Sequence, residues 1–241
     1  MSGASYPSLN GRRVIVTGGA SGIGEEFVAA FAGQGARVDF FDVADGSAVA
    51  ERTGATFHHC DLTDTAALQA TFAAIGPVDV LVNNAANDDR HTIDDVTPDY
   101  WEERIAVNLR HKFFAAQAVV PGMKAQGRGV ILNLGSISWH LGLAELVLYQ
   151  TAKAAIEGMT RALARDLGRH GIRVNTILPG NVQTPRQEKW YTSEGEAEIV
   201  AAQCLDGRIQ PADVAALALF LASDDARMIT GHDYFVDAGW R

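Results

Sequence analysis

Short runs of Val, Ile and Leu alternate with segments of helical periodicity along almost the whole chain. Seven runs are typical of β-strands, and they cover residues 13–18, 36–42, 55–61, 78–85, 129–136, 172–180 and 232–239. Helical spacing marks residues 23–35, 63–76, 99–123, 148–168 and 210–223. The alternation predicts an α/β fold with a doubly wound parallel sheet of about seven strands and helices on both faces. Ligands are then expected beyond the carboxyl ends of the strands.

The length and charge of the chain narrow the classes of function. Its 241 residues suit one α/β domain, and we expect residues 1–241 to form a single unit. The formal net charge is −9 and the basic residues are scattered, which argues against nucleic acid and against an anionic membrane surface as partners. The chain shows no signal-peptide pattern and no apolar run of bilayer length, and Cys60 and Cys204 have no metal spacing. These features predict a cytoplasmic protein without a metal site.

A glycine-rich segment, "TGGASGIG" at 17–24, follows the first predicted strand and opens the first predicted helix. Gly18, Gly22 and Gly24 give the spacing G-x-x-x-G-x-G, which differs from the commoner G-x-G-x-x-G fingerprint. Glycines permit a tight turn and close approach of the backbone to a ligand, and a helix N-terminus offers free N–H groups to a pyrophosphate. Glycine clusters also occur in ordinary turns, but this position between strand and helix predicts a dinucleotide-binding loop.

Two aspartates at the ends of predicted strands are candidates for contacts to the adenosine half of a dinucleotide. Asp42 lies 24 residues after Gly18, where a carboxylate can accept both ribose hydroxyls and repel a 2′-phosphate, which predicts NAD rather than NADP. The alternative is that Asp42 is a solvated turn residue. Asp61 could reach the adenine edge, although "DLTD" is equally typical of a helix N-cap, and the sequence leaves both possibilities open.

Tyr149 and Lys153 lie four residues apart in a predicted helix, so their side chains share one face. Alone they could be a surface pair worth roughly a few tenths of a kcal/mol. Ser136, however, ends a predicted strand 13 residues before Tyr149, and Asn108 lies within a helix, where its amide has no propensity reason to be. A nearby ammonium and an oxidised nicotinamide both favour the phenolate, so Tyr149 is predicted as a general base that Lys153 tunes. Ser136 would hydrogen-bond the reacting oxygen, and Asn108 could hold a water that carries protons away.

These motifs together resemble the short-chain dehydrogenase/reductase family over essentially the whole chain. The resemblance rests on "TGGASGIG", "NNAA" (83–86), Asn108, Ser136, "YQTAK" (149–153) and "PGNVQT" (179–184). It implies a Rossmann domain with a catalytic tetrad of Asn108, Ser136, Tyr149 and Lys153, in which Lys153 also holds the nicotinamide ribose. It further implies cofactor contacts from the glycine loop and from residues at strand ends, namely Ser21, Ile23, Leu62, Asn84, Pro179, Val182 and Thr184. The chain departs from the family at Ala86, where glycine is usual, and a methyl group there is expected to narrow the cofactor site without abolishing binding.

Several further segments resemble the bacterial NAD-dependent sugar dehydrogenases of this family. They are "NDDRH" (87–91), "NLRH" (108–111), "GSISWHLGL" (135–143), "RQEKWYT" (186–192), "AAQCL" (201–205) and "DAGWR" (237–241). Such enzymes oxidise the anomeric carbon of a pyranose to the aldonolactone, and D-xylose is the expected substrate. The resemblance also implies a homotetramer packed through the helices at 99–123 and 148–168.

A polar segment after the sixth predicted strand is expected to form a substrate lid over about residues 181–206. Asn181 and Trp190 suit a polyol, because amides pair with hydroxyls and aromatic faces pack on C–H groups. Gln187 and Tyr191 could be pocket residues or surface decoration. Trp139 follows Ser136 closely enough to line the same cleft, and its neighbour His140 could do so too or could be a structural hydrogen-bonding residue.

Other functions remain open at the level of sequence. A protein that only senses NAD would be expected to lack the tyrosine or the lysine, and this chain has both. A dehydrogenase of the same family could act on another aldose, a polyol or a 3-oxoacyl-type carbonyl substrate. The polar lid and Asp42 weigh against the acyl substrate, since biosynthetic reductases usually use NADPH.

Overall fold

The computed structural model describes residues 3–187 and 192–241. Within these ranges seven strands are present, and they are β1 (Arg13–Thr17), β2 (Arg37–Asp42), β3 (Thr56–His59), β4 (Val80–Asn83), β5 (Gly129–Leu134), β6 (Ile172–Pro179) and β7 (Asp233–Val236). They form one sheet in the order β3-β2-β1-β4-β5-β6-β7, and every pair of neighbours is parallel. The predicted doubly wound sheet is therefore confirmed, with the change of winding direction between β1 and β4.

Helices connect the strands on both faces of the sheet. They are α1 (Gly22–Gly33), α2 (Ser47–Thr53), α3 (Thr65–Ile75), α4 (Pro98–Ile105), α5 (His111–Gln126), α6 (Ser138–Leu141), α7 (Val147–Leu167), α8 (Ser193–Ala202) and α9 (Pro211–Ala222). The sequence did not predict α2, α6 or α8, because short or polar segments carry too little apolar periodicity. In the described part of the chain, no helix combines the length and the apolar character needed to cross a membrane.

The long helix predicted at 99–123 is present, but it is not uniform. α4 and α5 are joined without a turn by a π-helical segment, Ala106–Arg110, in which the hydrogen bonds close over one additional residue. Asn108 lies in the middle of this segment and is fully buried. Segments of this kind are frequent at functional sites, because they rotate one side chain out of its regular helical direction.

The core lies in two layers, one on each face of the sheet. Val14 and Val16 of β1 pack with Phe27 of α1 in one layer, while Ile15, between them in sequence, packs with Leu68 of α3 in the other. Alternate residues of a strand point to opposite faces, so a strand that is apolar throughout buries both. The helical layers leave the carboxyl edge of the sheet open for a ligand.

Candidate active site

Ser136, Tyr149 and Lys153 are brought together at the carboxyl end of β5. Lys153 is buried, its Nζ donates to the backbone carbonyl of Leu134 at 2.9 Å, and it lies 5.1 Å from the centroid of the Tyr149 ring. Ser136 lies two residues beyond Leu134, and its hydroxyl is close enough to the phenol of Tyr149 to lower the pKa of that phenol. The first turns of α7 thus present a phenol and an ammonium to the end of a central strand.

The electrostatics of this pair differ from the sequence-based expectation. Burial raises the pKa of Tyr149, and the charge of Asp88 raises it further, while the hydrogen bond from Ser136 and the cation of Arg186 act in the opposite direction. Burial lowers the pKa of Lys153 to about 8, against a smaller opposing effect of Asp88. In the protein alone the phenol is therefore held protonated, because burial and the charge of Asp88 outweigh the effects of Ser136 and Arg186.

Asn108 contacts the loop that follows β4. Its Nδ2 donates to the backbone carbonyl of Asn87 at 2.9 Å, and its Oδ1 accepts from the backbone N–H of Asn87 at 2.9 Å. Both polar groups of the amide are thus engaged by one residue in the loop after β4. The side chain fixes that loop beside the site, and the water predicted at Asn108 stays a prediction.

The glycine loop has the shape required to bring a dinucleotide close to the backbone. A Cβ on Gly24 would lie 1.7 Å from the carbonyl oxygen of Gly18, so only glycine allows the first turn of α1 to pack on the end of β1. Gly18 has φ of +68°, which disfavours other residues. A Cβ on Gly22 would meet the methyl group of Thr184 at 3.4 Å, so the loop and the residues after β6 face each other.

The N-terminus of α1 is suited to bind a phosphate. Ser21 is the N-cap residue in extended conformation, and its hydroxyl makes no capping hydrogen bond, so the first-turn N–H groups, including that of Ile23, lack a side-chain acceptor. Asn84 joins the loop to β4, since its Nδ2 donates to the carbonyls of Thr17 at 3.1 Å and Gly18 at 2.9 Å. These residues fit the pyrophosphate of a nicotinamide dinucleotide.

Asp42 lies at the end of β2, against the glycine loop. Its Oδ2 accepts from the backbone N–H of Ala20 at 3.0 Å, and its Oδ1 accepts from that of Ala44 at 3.0 Å. It is therefore not simply a solvated turn residue, because it orients the loop that follows β1. Each oxygen retains a further lone pair for a ribose hydroxyl.

The segment after β3 separates the two alternatives that the sequence left open. The N-cap of α3 is Asp64, whose carboxylate accepts from the N–H groups at the start of the helix. Asp61 instead accepts from the backbone N–H and the hydroxyl of Thr63, at 2.8 and 2.7 Å, and is exposed. Leu62 is buried between them. The contact of Asp61 and Leu62 with adenine stays a prediction.

The beginning of the expected lid is tied to the chain that follows α8. After Pro179 ends β6, Val182 forms a parallel bridge with Ile209, and the Oδ1 of Asn181 accepts from Nη2 of Arg208 at 2.9 Å. Asn181 therefore holds the base of the segment. Trp190 and Tyr191 fall outside the described residues, and their predicted sugar contacts stay predictions.

Trp139 and His140 share a buried carboxylate that the sequence did not single out. The indole N–H of Trp139 donates to Oε1 of Glu157 at 2.6 Å, and Nε2 of His140 lies 3.1 Å from the same oxygen. The two rings also pack together, with centroids 3.8 Å apart. His140 is thus a structural hydrogen-bonding residue, and Trp139 has only its ring face left for a substrate. Glu157 lies four residues after Lys153 and eight after Tyr149, so helical spacing could have singled it out in the sequence.

No role was assigned from the sequence to Asp88 or Arg186, which lie beside the site. Asp88 follows Asn87, and it contacts two residues of the expected lid, Arg186 at 3.0 Å and Gln187 at 3.2 Å. The sequence feature that could have indicated Asp88 is a carboxylate shortly after the "NNAA" motif at the end of β4.

The methyl group of Ala86 causes no backbone strain. Within 3–187 and 192–241, the residues other than glycine with positive φ are Glu145 and Ala238.

Comparisons with known proteins agree with this geometry. Residues 18–241 match a family model described as enoyl-(acyl carrier protein) reductase. The chain is 63% identical over 248 aligned positions to D-xylose 1-dehydrogenase of Caulobacter vibrioides, with both chains covered completely. It is 45% identical to the probable galactose dehydrogenase GalD of Rhizobium meliloti, covering 98% of this chain and 97% of that protein.

A solved structure described as a short chain dehydrogenase/reductase family protein superposes with a TM-score of 0.89. It is 33% identical and covers 96% of this chain and 98% of its own. Such proteins use a nicotinamide cofactor, and the glycine loop, Asn84 and Asp42 of this chain fit one. Fold, family model and full-length relatives agree, and the chain belongs to the short-chain dehydrogenase/reductase family of oxidoreductases.

Proposed function

We propose that the protein oxidises the anomeric carbon of an aldopyranose, with D-xylose as the preferred substrate, to give the aldonolactone, and that it uses NAD. The observation that carries this proposal is the 63% identity over the full length to a D-xylose 1-dehydrogenase. The site agrees with this likeness, because it contains the phenol of Tyr149, the ammonium of Lys153 and the hydroxyl of Ser136. The match to GalD at 45% identity supports a sugar substrate more generally and makes D-galactose the second candidate.

The residues of this chain divide the chemistry among them. Tyr149 accepts the proton of the C1 hydroxyl, and Ser136 holds that oxygen by its hydroxyl, which lies near the phenol. The nicotinamide, when bound, supplies the acceptor for the hydride of C1. The product is a lactone because the sugar ring never opens. Burial keeps Tyr149 protonated in the protein alone. Lys153, 5.1 Å from the centroid of the Tyr149 ring, and an oxidised nicotinamide when bound would together supply the positive charge that favours the phenolate.

The preference for NAD over NADP follows from Asp42. A 2′-phosphate would be placed against this carboxylate, and the contact between like charges would cost a few kcal/mol, roughly a hundredfold or more in kcat/KM. Asp42→Ala should narrow the ratio of the two kcat/KM values mainly by improving the use of NADP. Asp39→Ala is a control, because that carboxylate pairs with His58 within the sheet and not with the glycine loop. Equal use of both cofactors by the unaltered protein would contradict this role of Asp42.

The substrate proposal is tested by incubating the protein with NAD and a panel of aldoses, polyols and apolar secondary alcohols. Reduction of the nicotinamide is followed by absorbance, and the sugar product is followed by NMR. We expect D-xylose to give the highest kcat/KM and a lactone signal to appear before any open-chain acid. Activity on apolar alcohols without a lactone signal from any aldose would exclude the sugar substrate and leave only the family.

We also propose a homotetramer packed through the long helices. Large apolar side chains on these helices are partly exposed in the single chain, namely Trp101 on α4, Phe113 on α5 and Val147 on α7. Their burial in helix-to-helix contacts between subunits would remove apolar surface from water. The measurement is the mass in solution by light scattering.

A further inference from the structure

The loop after β4 places a carboxylate beside the reacting groups. Both backbone polar groups of Asn87 are held by the Asn108 amide at 2.9 Å, so the residue that follows, Asp88, starts from a fixed position. The negative charge of Asp88 acts on Tyr149 and on Lys153, which places it within electrostatic reach of both. Asp88 is only partly exposed, with 33% of its side chain accessible.

Other groups face the phenol from the elements around it. Lys153 lies one helical turn away on α7, Ser136 approaches from the end of β5, and Arg186 approaches from the expected lid. Among these neighbours Asp88 is the group whose charge hinders removal of the phenolic proton, because it raises the pKa of Tyr149. The same charge favours the ammonium of Lys153, so its effects on the two reacting groups oppose each other.

The lid side of the site holds this carboxylate by two residues. Nη2 of Arg186 lies 3.0 Å from Oδ1 of Asp88, and Nε2 of Gln187 donates to Oδ2 at 3.2 Å. The same Nη2 is 2.7 Å from Oδ1 of the neighbouring Asp89. A carboxylate has about four acceptor positions, so these contacts orient Asp88 and leave it further acceptor capacity.

We propose that Asp88 is a substrate-binding residue that sets specificity, accepting hydrogen bonds from ring hydroxyls of the sugar while Arg186 and Gln187 hold it from the lid. This inference rests on the proposed sugar oxidation. A pyranose offers several O–H donors that lose water on binding, and a carboxylate is the strongest acceptor that a side chain can present to them. An epimer that turns one hydroxyl away leaves an acceptor position of the carboxylate without a donor, which makes Asp88 a discriminating group.

The test compares Asp88→Asn with Asp89→Asn. Both aspartates contact Arg186, but only the charge of Asp88 acts on Tyr149 and Lys153. With D-xylose and saturating NAD, Asp88→Asn should raise KM about 10- to 100-fold, and Asp89→Asn should change it by less than about threefold. NAD affinity, measured by titration, should remain unchanged in both variants, which also shows that both are folded.

Two further readouts separate substrate binding from a purely structural role. Removing the charge of Asp88 lowers the pKa of Tyr149, so the rising limb of kcat/KM against pH should move to lower pH in Asp88→Asn and stay in place in Asp89→Asn. The second readout uses deoxy analogues of D-xylose. The analogue that lacks the bound hydroxyl should bind the unaltered protein more weakly than D-xylose does. Asp88→Asn should bind that analogue and D-xylose equally well, because the hydrogen bond is already absent.

The outcomes are distinguishable from a failure of the proposed function. If the unaltered protein oxidises no aldose, the proposed function and this inference are both overturned. If it oxidises D-xylose and the two variants have the same KM and the same pH limb, only the role of Asp88 is overturned. A deoxy analogue series that is fully additive with Asp88→Asn has the same consequence.

Discussion

Replacing Tyr149 by phenylalanine should reduce turnover by at least about 10²–10⁴-fold, the range expected from loss of a general base, and leave cofactor affinity nearly unchanged. The phenol is the group that the structure places against Ser136 and Lys153, and the substitution removes one oxygen with little change in ring packing. The measurement pairs steady-state kinetics on the best aldose with a titration of NAD by fluorescence.

A matched control is available on the last strand. Tyr234→Phe removes a phenolic oxygen from β7, which lies two strands from β5 in the sheet, and should retain turnover within about twofold. If Tyr149→Phe and Tyr234→Phe turned over at the same rate, Tyr149 would not be the base, and proton transfer would have to be assigned to another group.

Replacing Gly24 by alanine should have the second largest effect. The added methyl group would lie 1.7 Å from the carbonyl oxygen of Gly18 and 2.7 Å from Nδ2 of Asn84. The oxygen belongs to the backbone at the end of β1 and cannot rotate away, so α1 must move out of the glycine loop. The expected cost exceeds about 3 kcal/mol, the upper part of the range for overpacking, with NAD affinity lowered more than about 100-fold.

Gly33, at the other end of the same helix, provides the control. No atom lies within 4 Å of a Cβ added there, so Gly33→Ala should be neutral or stabilising by about 0.5–1 kcal/mol because alanine favours the helix. Denaturant unfolding and NAD titration on both variants separate the steric effect from helix propensity. Equal stabilities and equal NAD affinities for the two variants would contradict the close packing of the loop on β1.

Local pattern was sufficient to predict much of this protein. The seven strands, their parallel arrangement and the long helices follow from apolar runs and from helical periodicity, because each signal lies within one segment. The position of the glycine loop and the spacing of Tyr149 and Lys153 are also local, and the structure places both at the carboxyl edge of the sheet.

The tertiary structure decided how these groups are bound and charged. The amide of Asn108 holds Asn87, 21 residues earlier in the sequence. Arg186 pairs with Asp88, 98 residues earlier. No sequence pattern predicts contacts over these distances. The direction of the pKa shift of Tyr149 depends on burial, which a spacing of four residues does not reveal. The sequence by itself determined the fold and the identity of the reacting groups. The folded structure decided their protonation and their partners, because desolvation and pairing depend on which segments meet in space.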